Sequence, residues 1–254
     1  MIPPLFLNHG APTLALMDSE YTQFLSKTGQ RFTPRGIVVF SAHWEEPITT
    51  ISYARGPLET IYDFGGFPPE LYQVTYPAIG SPELAGMVEA LLVDNGFATR
   101  RTQRGLDHGA WVILRHLYPK ADIPVVTVSI NPFWDPLEQY RIGQSLKPLA
   151  ADDVLIIGSG TTVHNFSEIR FHDNDPAPWA VEFDAWIEEH LRARNLSALF
   201  SYDTLGPHAR RAVPRPEHFV PLFVAMGGSV SETPPQRIFT GYDWGSLSYA
   251  CYEF

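Results

Sequence analysis

The chain has 254 residues, of which 44% are apolar and 18% charged, with a formal net charge of −10. That is enough apolar material for one large domain or two closely merged ones, and the charge balance gives no footprint for nucleic acid or for an anionic membrane surface. A single cysteine, Cys251, excludes an internal disulfide framework and any cysteine-rich zinc motif, and it fits cytoplasmic residence.

Taken in order, residues 4–8 read as a first buried strand, preceded by Met1 and a short apolar stretch that lacks the features of a signal peptide. Residues 36–42 are a second strand, continuous and β-branched. A loop over 56–80 follows, rich in aromatic residues and proline, too apolar for an idle surface segment. At Ser81-Pro82-Glu83 a helix start is written out: a possible N-cap, proline at the first helical position, then an acid. Leu84, Met87, Val88, Leu91 and Leu92 continue it at helical spacing, and Gly96 closes it. Further helices are predicted over 109–117, 136–149, 178–194 and 217–226, the last with Pro221 limiting its first turn. Further strands are predicted over 123–130, 153–158, 236–240 and 247–254.

Strands that alternate with helices and are apolar on both faces argue for the α/β class. The expected architecture is one domain over 1–254, with a central, largely parallel or mixed sheet flanked by helices. No apolar stretch approaches the ~18 residues of a membrane span, and no repeat or linker is present.

Histidine placement carries the chemistry. Four of the nine histidines follow short apolar runs or open turns: His9 in L-F-L-N-H-G, His43 in V-V-F-S-A-H-W, His164 in G-S-G-T-T-V-H-N and His218 in P-R-P-E-H-F. His108 sits in G-L-D-H-G-A-W. In open α/β sheets ligands bind beyond the carboxyl ends of strands, so histidines delivered to one rim can form a metal site. A histidine after a strand is more often a hydrogen-bonded structural residue. His116 and His190 are read that way, as solvated helix surface, and His172 and His208 as polar-loop residues. No H-E-x-x-H pair, nucleophile elbow, Walker lysine or G-x-G-x-x-G opening a helix is present, which removes metalloprotease, α/β-hydrolase and nucleotide-binding readings.

Several motifs together resemble the DOPA 4,5-dioxygenase (extradiol) family of class III ring-cleavage dioxygenases. They are N-H-G-A-P at 8–12, S-A-H-W at 41–44, Y-D-F-G-G-F-P at 62–68, Y-P-A-I-G-S-P-E-L-A at 76–85, G-L-D-H-G-A-W at 105–111, G-S-G-x-x-V-H-N at 158–165, P-W-A-x-x-F at 178–183 and P-E-H-F-V-P-L at 216–222. The resemblance implies a single α/β domain and metal ligation by His9, His43 and His218, with His164 as fourth ligand or as acid/base. It implies Fe(II) for activity, with Zn(II) able to occupy the site, and a small catechol and O2 as reactants. F-H-D-N-D-P-A-P-W at 171–179 departs from the loop of the plant pigment-forming members, so substrate does not carry over.

His108 is either a second acid/base candidate or a structural residue, oriented by Asp107 or capping the helix that follows. Tyr62, Phe64, Phe67 and Tyr72 are candidates for a lid or wall against an aromatic ring, or else a plug over the sheet edge. Glu217 is the nearest carboxylate to His218, but helical neighbours diverge by about 100°, which argues against both ligating one ion. Two alternatives stand beside ring cleavage: a zinc-dependent hydrolase using the same histidines, and a metal-binding protein without turnover. A monomer or small homo-oligomer is expected.

Overall fold

In the computed structural model, residues 1–171 and 175–254 are described; His172, whose role the sequence leaves open, lies outside them. The strands are β1 Leu5–Leu7, β2 Gly36–Glu45, β3 Thr49–Ser52, β4 Gly56–Pro57, β5 Ile79–Gly80, β6 Thr99–Thr102, β7 Val125–Ile130, β8 Val154–Ser159, β9 Gln236–Phe239, β10 Tyr242–Asp243, β11 Leu247–Ser248 and β12 Cys251–Glu253. The helices are α1 Glu20–Gln30, α2 Pro82–Asp94, α3 His108–Leu117, α4 Pro136–Ser145, α5 Pro178–Arg192, α6 Leu196–Phe200, α7 Tyr202–Leu205, α8 Ala209–Ala212 and α9 Pro221–Gly228. Short 3-10 turns link several of them, among them Lys147–Asp152 and Pro216–His218.

The central sheet runs β4-β5-β7-β2-β8-β1-β12-β9, and β3 and β6 attach beside β7. Its middle, β7-β2-β8-β1, is parallel, while β12 joins β1 antiparallel, so the sheet is mixed. Side chains alternate across it. Leu5, Leu7, Ile37, Val39, Leu155 and Ile157 pack on one face with residues of α1 and α3. Val38, Phe40, Val126, Val128, Val154 and Ile156 pack on the other with α2, α4 and α9. Both faces are covered, which is why these strands read as continuous apolar runs. No described helix is long and apolar enough to cross a membrane.

Several boundaries differ from the sequence expectation. The strand expected over 36–42 continues through His43 to Glu45, because the chain keeps pairing with β7 across a register shift between Phe40 and Glu45. The helix expected over 217–226 is broken: Pro216–His218 is a 3-10 turn, and α9 starts at Pro221. Pro221 lacks the N–H that a continuous helix needs there, and proline is favoured at a first helical position. The strand expected over 247–254 splits into β11 and β12, since residues 242–248 form a separate hairpin. Helix α1, capped by Ser19 and Thr22 in a reciprocal box, was not anticipated.

Candidate metal centre and cleft

Register places the histidines. Leu7 and Ser41 both pair with Ser159, so the ends of β1, β2 and β8 stand abreast. His9 lies two residues beyond Leu7 and His43 two beyond Ser41. The register shift around His43 is the kind of local irregularity that re-aims a side chain at a sheet rim. His218 arrives from the 3-10 turn before α9, tied to the same rim by its carbonyl, which accepts from Thr161 N at 2.8 Å. His164 follows the loop after β8, its N–H donating to Ala212 O at 2.9 Å. His108 opens α3.

These five residues meet. His43 Nε2 is 3.0 Å from His9 Nε2 and 3.2 Å from His218 Nε2. The His108 ring centre is 3.9 Å from that of His43. The His164 ring stacks on His218 at 3.6 Å with an interplanar angle of 17°. His9, His43 and His108 form one group with metal-binding spacing, and His164, Glu217 and His218 form another.

The second nitrogens fix the tautomers. Ser159 Oγ donates to Gly109 O at 2.5 Å, so its oxygen is left to accept from His9 Nδ1–H at 2.9 Å. A neutral His9 then carries its lone pair on Nε2. His218 Nδ1 lies 2.9 Å from Glu217 Oε1, and a carboxylate there accepts the Nδ1 proton and again leaves Nε2 bare. His108 Nδ1 bonds Asp63 Oδ2 at 2.8 Å. His43 Nε2 has one proton at most and faces two lone pairs. Three imidazole nitrogens converging with too few protons between them, each backed by an acceptor or a carboxylate, fit a bound cation.

Electrostatics agree. Burial, with the neighbouring histidines adding to it, holds His9 and His218 well below the ordinary imidazole range. Burial and then His108 bring His43 down to about 3, against an opposing pull from Asp63. Burial and His108 bring His164 down to about 4. These side chains are neutral at pH 7, the state a metal ligand or a general base requires. Burial raises the Asp63 carboxyl, but the hydrogen bonds and charge of His108 outweigh this and hold it below its usual range. Glu217 is raised by burial, against the pull of Arg215.

Two glycines permit the close packing. A Cβ on Gly109 would come within 2.4 Å of Ser41 Oγ and 3.0 Å of His43 Cδ2. Gly10, at φ +61°, takes the turn after His9, where a Cβ would meet Tyr249 Oη at 3.0 Å.

The carboxylate partner of His108 differs from expectation. It is Asp63, which also accepts the His108 backbone N–H at 2.9 Å. Asp107 precedes the helix without a side-chain cap; it accepts from Ser41 Oγ at 2.6 Å and Arg104 at 3.3 Å. Glu217 belongs to the outer layer: it holds His218 Nδ1 and lies 3.9 Å from His164 Nδ1. Of the aromatic loop residues, Phe64 reaches the histidines, 5.7 Å from the His108 ring in an edge-on contact. Tyr62 donates to Val74 O at 2.8 Å, and Tyr72 accepts from Phe67 N at 3.4 Å, so these three serve the loop's own packing. Among the other histidines, His116 is half-buried and donates to Leu14 O at 3.0 Å, and His190 packs against Trp186 at 4.3 Å, so neither is simply solvated. His208 is exposed beside Glu182.

A cleft opens over the cluster, with His9, His164 and His218 on its floor and Phe166, Asp243, Trp244, Leu247 and Tyr249 among its walls. The 243–249 wall was not legible in the sequence, which predicts a strand over 247–254 and no element over 243–246. The W-G-S turn was its one visible signal, and nothing local in it points to the histidines.

Comparison with known proteins follows the same lines. The family profile described as the catalytic LigB subunit of aromatic ring-opening dioxygenase matches residues 4–251. A protein of Beta vulgaris named 4,5-DOPA dioxygenase extradiol is 41% identical over 98% of this chain and 95% of its own. A protein of the same name from Escherichia coli (strain K12) is 35% identical over 97% and 92%. The crystal structure of uncharacterized protein JW3007 from Escherichia coli K12 superposes with a TM-score of 0.84 at 32% identity, over 100% of both chains.

Proposed function

We propose a metal, a substrate and a division of labour among the histidines for this chain, which belongs to the family of the catalytic LigB subunit of aromatic ring-opening dioxygenases and is an extradiol ring-cleavage dioxygenase. His9, His43 and His218 hold the metal through Nε2. Fe(II) is the working ion, and Zn(II) competes for the same nitrogen donors. The substrate is a small catechol of the DOPA type, with O2 as co-substrate, by analogy with the named relatives. The enzyme is a single catalytic domain that acts in the cytoplasm. The observation that carries this reading is the convergence of the three Nε2 atoms at 3.0 and 3.2 Å, with the outer nitrogens of His9 and His218 already engaged by Ser159 and Glu217.

When bound, the ion supplies Lewis acidity toward the catechol oxygens and a site for O2. The chain's own groups handle protons and position. Within the described residues, His164 makes no ring hydrogen bond, yet it borders the cleft. Neutral at pH 7, it accepts the proton of a catechol hydroxyl at its unbonded ring nitrogen and returns it as the ring opens. Ser159 and Glu217 orient His9 and His218. Asp63 orients His108, which stands against His43 as the second proton-handling group. Phe64 backs His108, and Tyr62, Phe67 and Tyr72 buttress Phe64 rather than touching substrate.

The test is an assay of Fe(II)-loaded protein with a catechol panel, in air and without oxygen. A yellow semialdehyde that forms in air alone is the expected result. Oxygen-independent ester or amide turnover would favour a zinc hydrolase, and absence of any turnover would favour a metal-binding protein. Full metal stoichiometry in a His9→Ala/His43→Ala variant would remove the ligand assignment.

A further inference from the structure

The cleft wall opposite the histidines carries a carboxylate that none of the chemistry above uses. Asp243 ends β10 in the hairpin with β11, where it pairs with Leu247. The turn between them places Trp244 at φ +49° and Gly245 at φ +78°, so the chain reverses tightly and Asp243 stays at the cleft edge. Tyr249 donates to Asp243 Oδ2 at 2.7 Å. Within the described residues Oδ1 has no hydrogen-bond partner.

The hairpin is held from behind. Buried Asp184 of α5 accepts from Tyr242 Oη at 2.6 Å and Ser248 Oγ at 2.6 Å, the two residues paired across the hairpin. It also accepts from Thr162 Oγ1, in the loop that leads to His164. Asp184 thereby ties the segment carrying Asp243 to the segment carrying His164. A merely structural Asp243 would need only its bond to Tyr249. An acceptor held rigidly with one oxygen open is the arrangement of a recognition group.

Charge gives that group a direction. Among the described residues Asp243 is the one carboxyl side chain lining the cleft, and neither lysine nor arginine lines it. Arg170 packs behind the turn against Gly245 and donates to Asp175 O, and Arg215 is engaged by Glu45 and Glu217. Trp244 and Phe166 add aromatic faces that favour a cation.

Resting on the ring-cleavage reading, we propose that Asp243 is a specificity-determining residue: it receives the ammonium group on the side chain of a catecholic amine and repels catechols whose substituent is a carboxylate alone. An amino acid is then recognised through its amine, and a decarboxylated amine is accepted as a substrate of the same class.

The test compares dopamine, 4-ethylcatechol and dihydrocaffeate, which carry an amine, no charge and a carboxylate on similar short side chains. In the Fe(II)-loaded protein kcat/KM should fall in that order, dopamine exceeding 4-ethylcatechol by about tenfold or more, as a charge-assisted contact warrants. Asp243→Asn or Asp243→Ser should lower the dopamine to 4-ethylcatechol ratio by about tenfold. Tyr249→Phe, which removes the hydroxyl and keeps the charge, should preserve it. Equal losses for all three compounds in the Asp243 variants, or a wild-type ratio near one, would overturn the proposal. Equilibrium dialysis of the same compounds against Zn(II)-loaded protein without oxygen gives the ratio independently of turnover. If no catechol is cleaved, the ring-cleavage reading fails while this binding ratio still decides the role of Asp243.

Discussion

A neutral imidazole has one N–H and one lone pair, and the clustered histidines use them differently. His9 and His218 give their Nδ1 protons to Ser159 and Glu217, which aims both Nε2 lone pairs at His43. His164 has no such commitment, and its stacking on His218 fixes its plane without occupying a nitrogen. That difference underlies the proposed division between ligands and proton carrier. His164→Gln should therefore retain metal near wild-type stoichiometry while kcat falls by ~10²–10⁴-fold, the usual range for losing a general acid/base. Metal content measured beside the rate distinguishes the roles. A parallel loss of metal would make His164 a fourth ligand, and an unchanged rate would exclude it from the chemistry.

At the level of elements, the first turn of α3 sits directly behind His43. Gly109 supplies the clearance, and its carbonyl also receives the Ser159 hydroxyl, so one residue supports two candidate ligands. Gly109→Ala should push Ser41 and His43 apart at a cost of about 1–3 kcal/mol in stability, as overpacking commonly does. It should also weaken metal affinity by about 10–100-fold, the usual effect of disturbing an outer layer. Thermal unfolding with and without metal, together with a competitive chelator titration, would measure both. Unchanged affinity would mean that His43 is not held by this contact. The strands that carry this rim were legible in the sequence because both faces of the sheet are covered and the runs are apolar throughout. Helix α1 was not, since its apolar stripe is short and its cap, Ser19 with Thr22, uses a threonine where glutamate or glutamine is the usual signal.

Over the whole molecule, the cluster makes stability depend on pH. In the folded metal-free protein His43 titrates at about 3 and His164 at about 4, while unfolded histidines titrate near ~6.5. Between those values the unfolded chain binds more protons, so stability rises with pH there. Their contribution is fully present above ~6.5 and is lost as pH falls toward about 4 and then about 3. The Tm of metal-free protein should be level near neutrality and decline below that point, and replacing His164 with a non-titrating residue should flatten part of the decline. A Tm independent of pH from 7 to 4 would contradict the burial that lowers these groups. Metal should raise the Tm at neutral pH and lose that effect in acid, because protons compete for the same nitrogens.

What the sequence determined by itself was the α/β class and the histidines at strand ends, because apolar periodicity and the residues that follow a strand are local properties. The motifs N-H-G-A-P, S-A-H-W and P-E-H-F also singled out His9, His43 and His218. Tertiary structure decided which carboxylate serves which histidine. Asp63 rather than the adjacent Asp107 reaches His108, since the fold of the 56–80 loop turns its carboxylate toward α3 while Asp107 is drawn to Ser41 and Arg104. Glu217 holds His218 because a 3-10 turn, not a helix, carries them both. The wall containing Asp243 depends on a hairpin tied down by Asp184, almost sixty residues earlier in the chain. Such pairings follow from strand register and loop packing between distant segments, and a reading confined to neighbouring residues has no access to them.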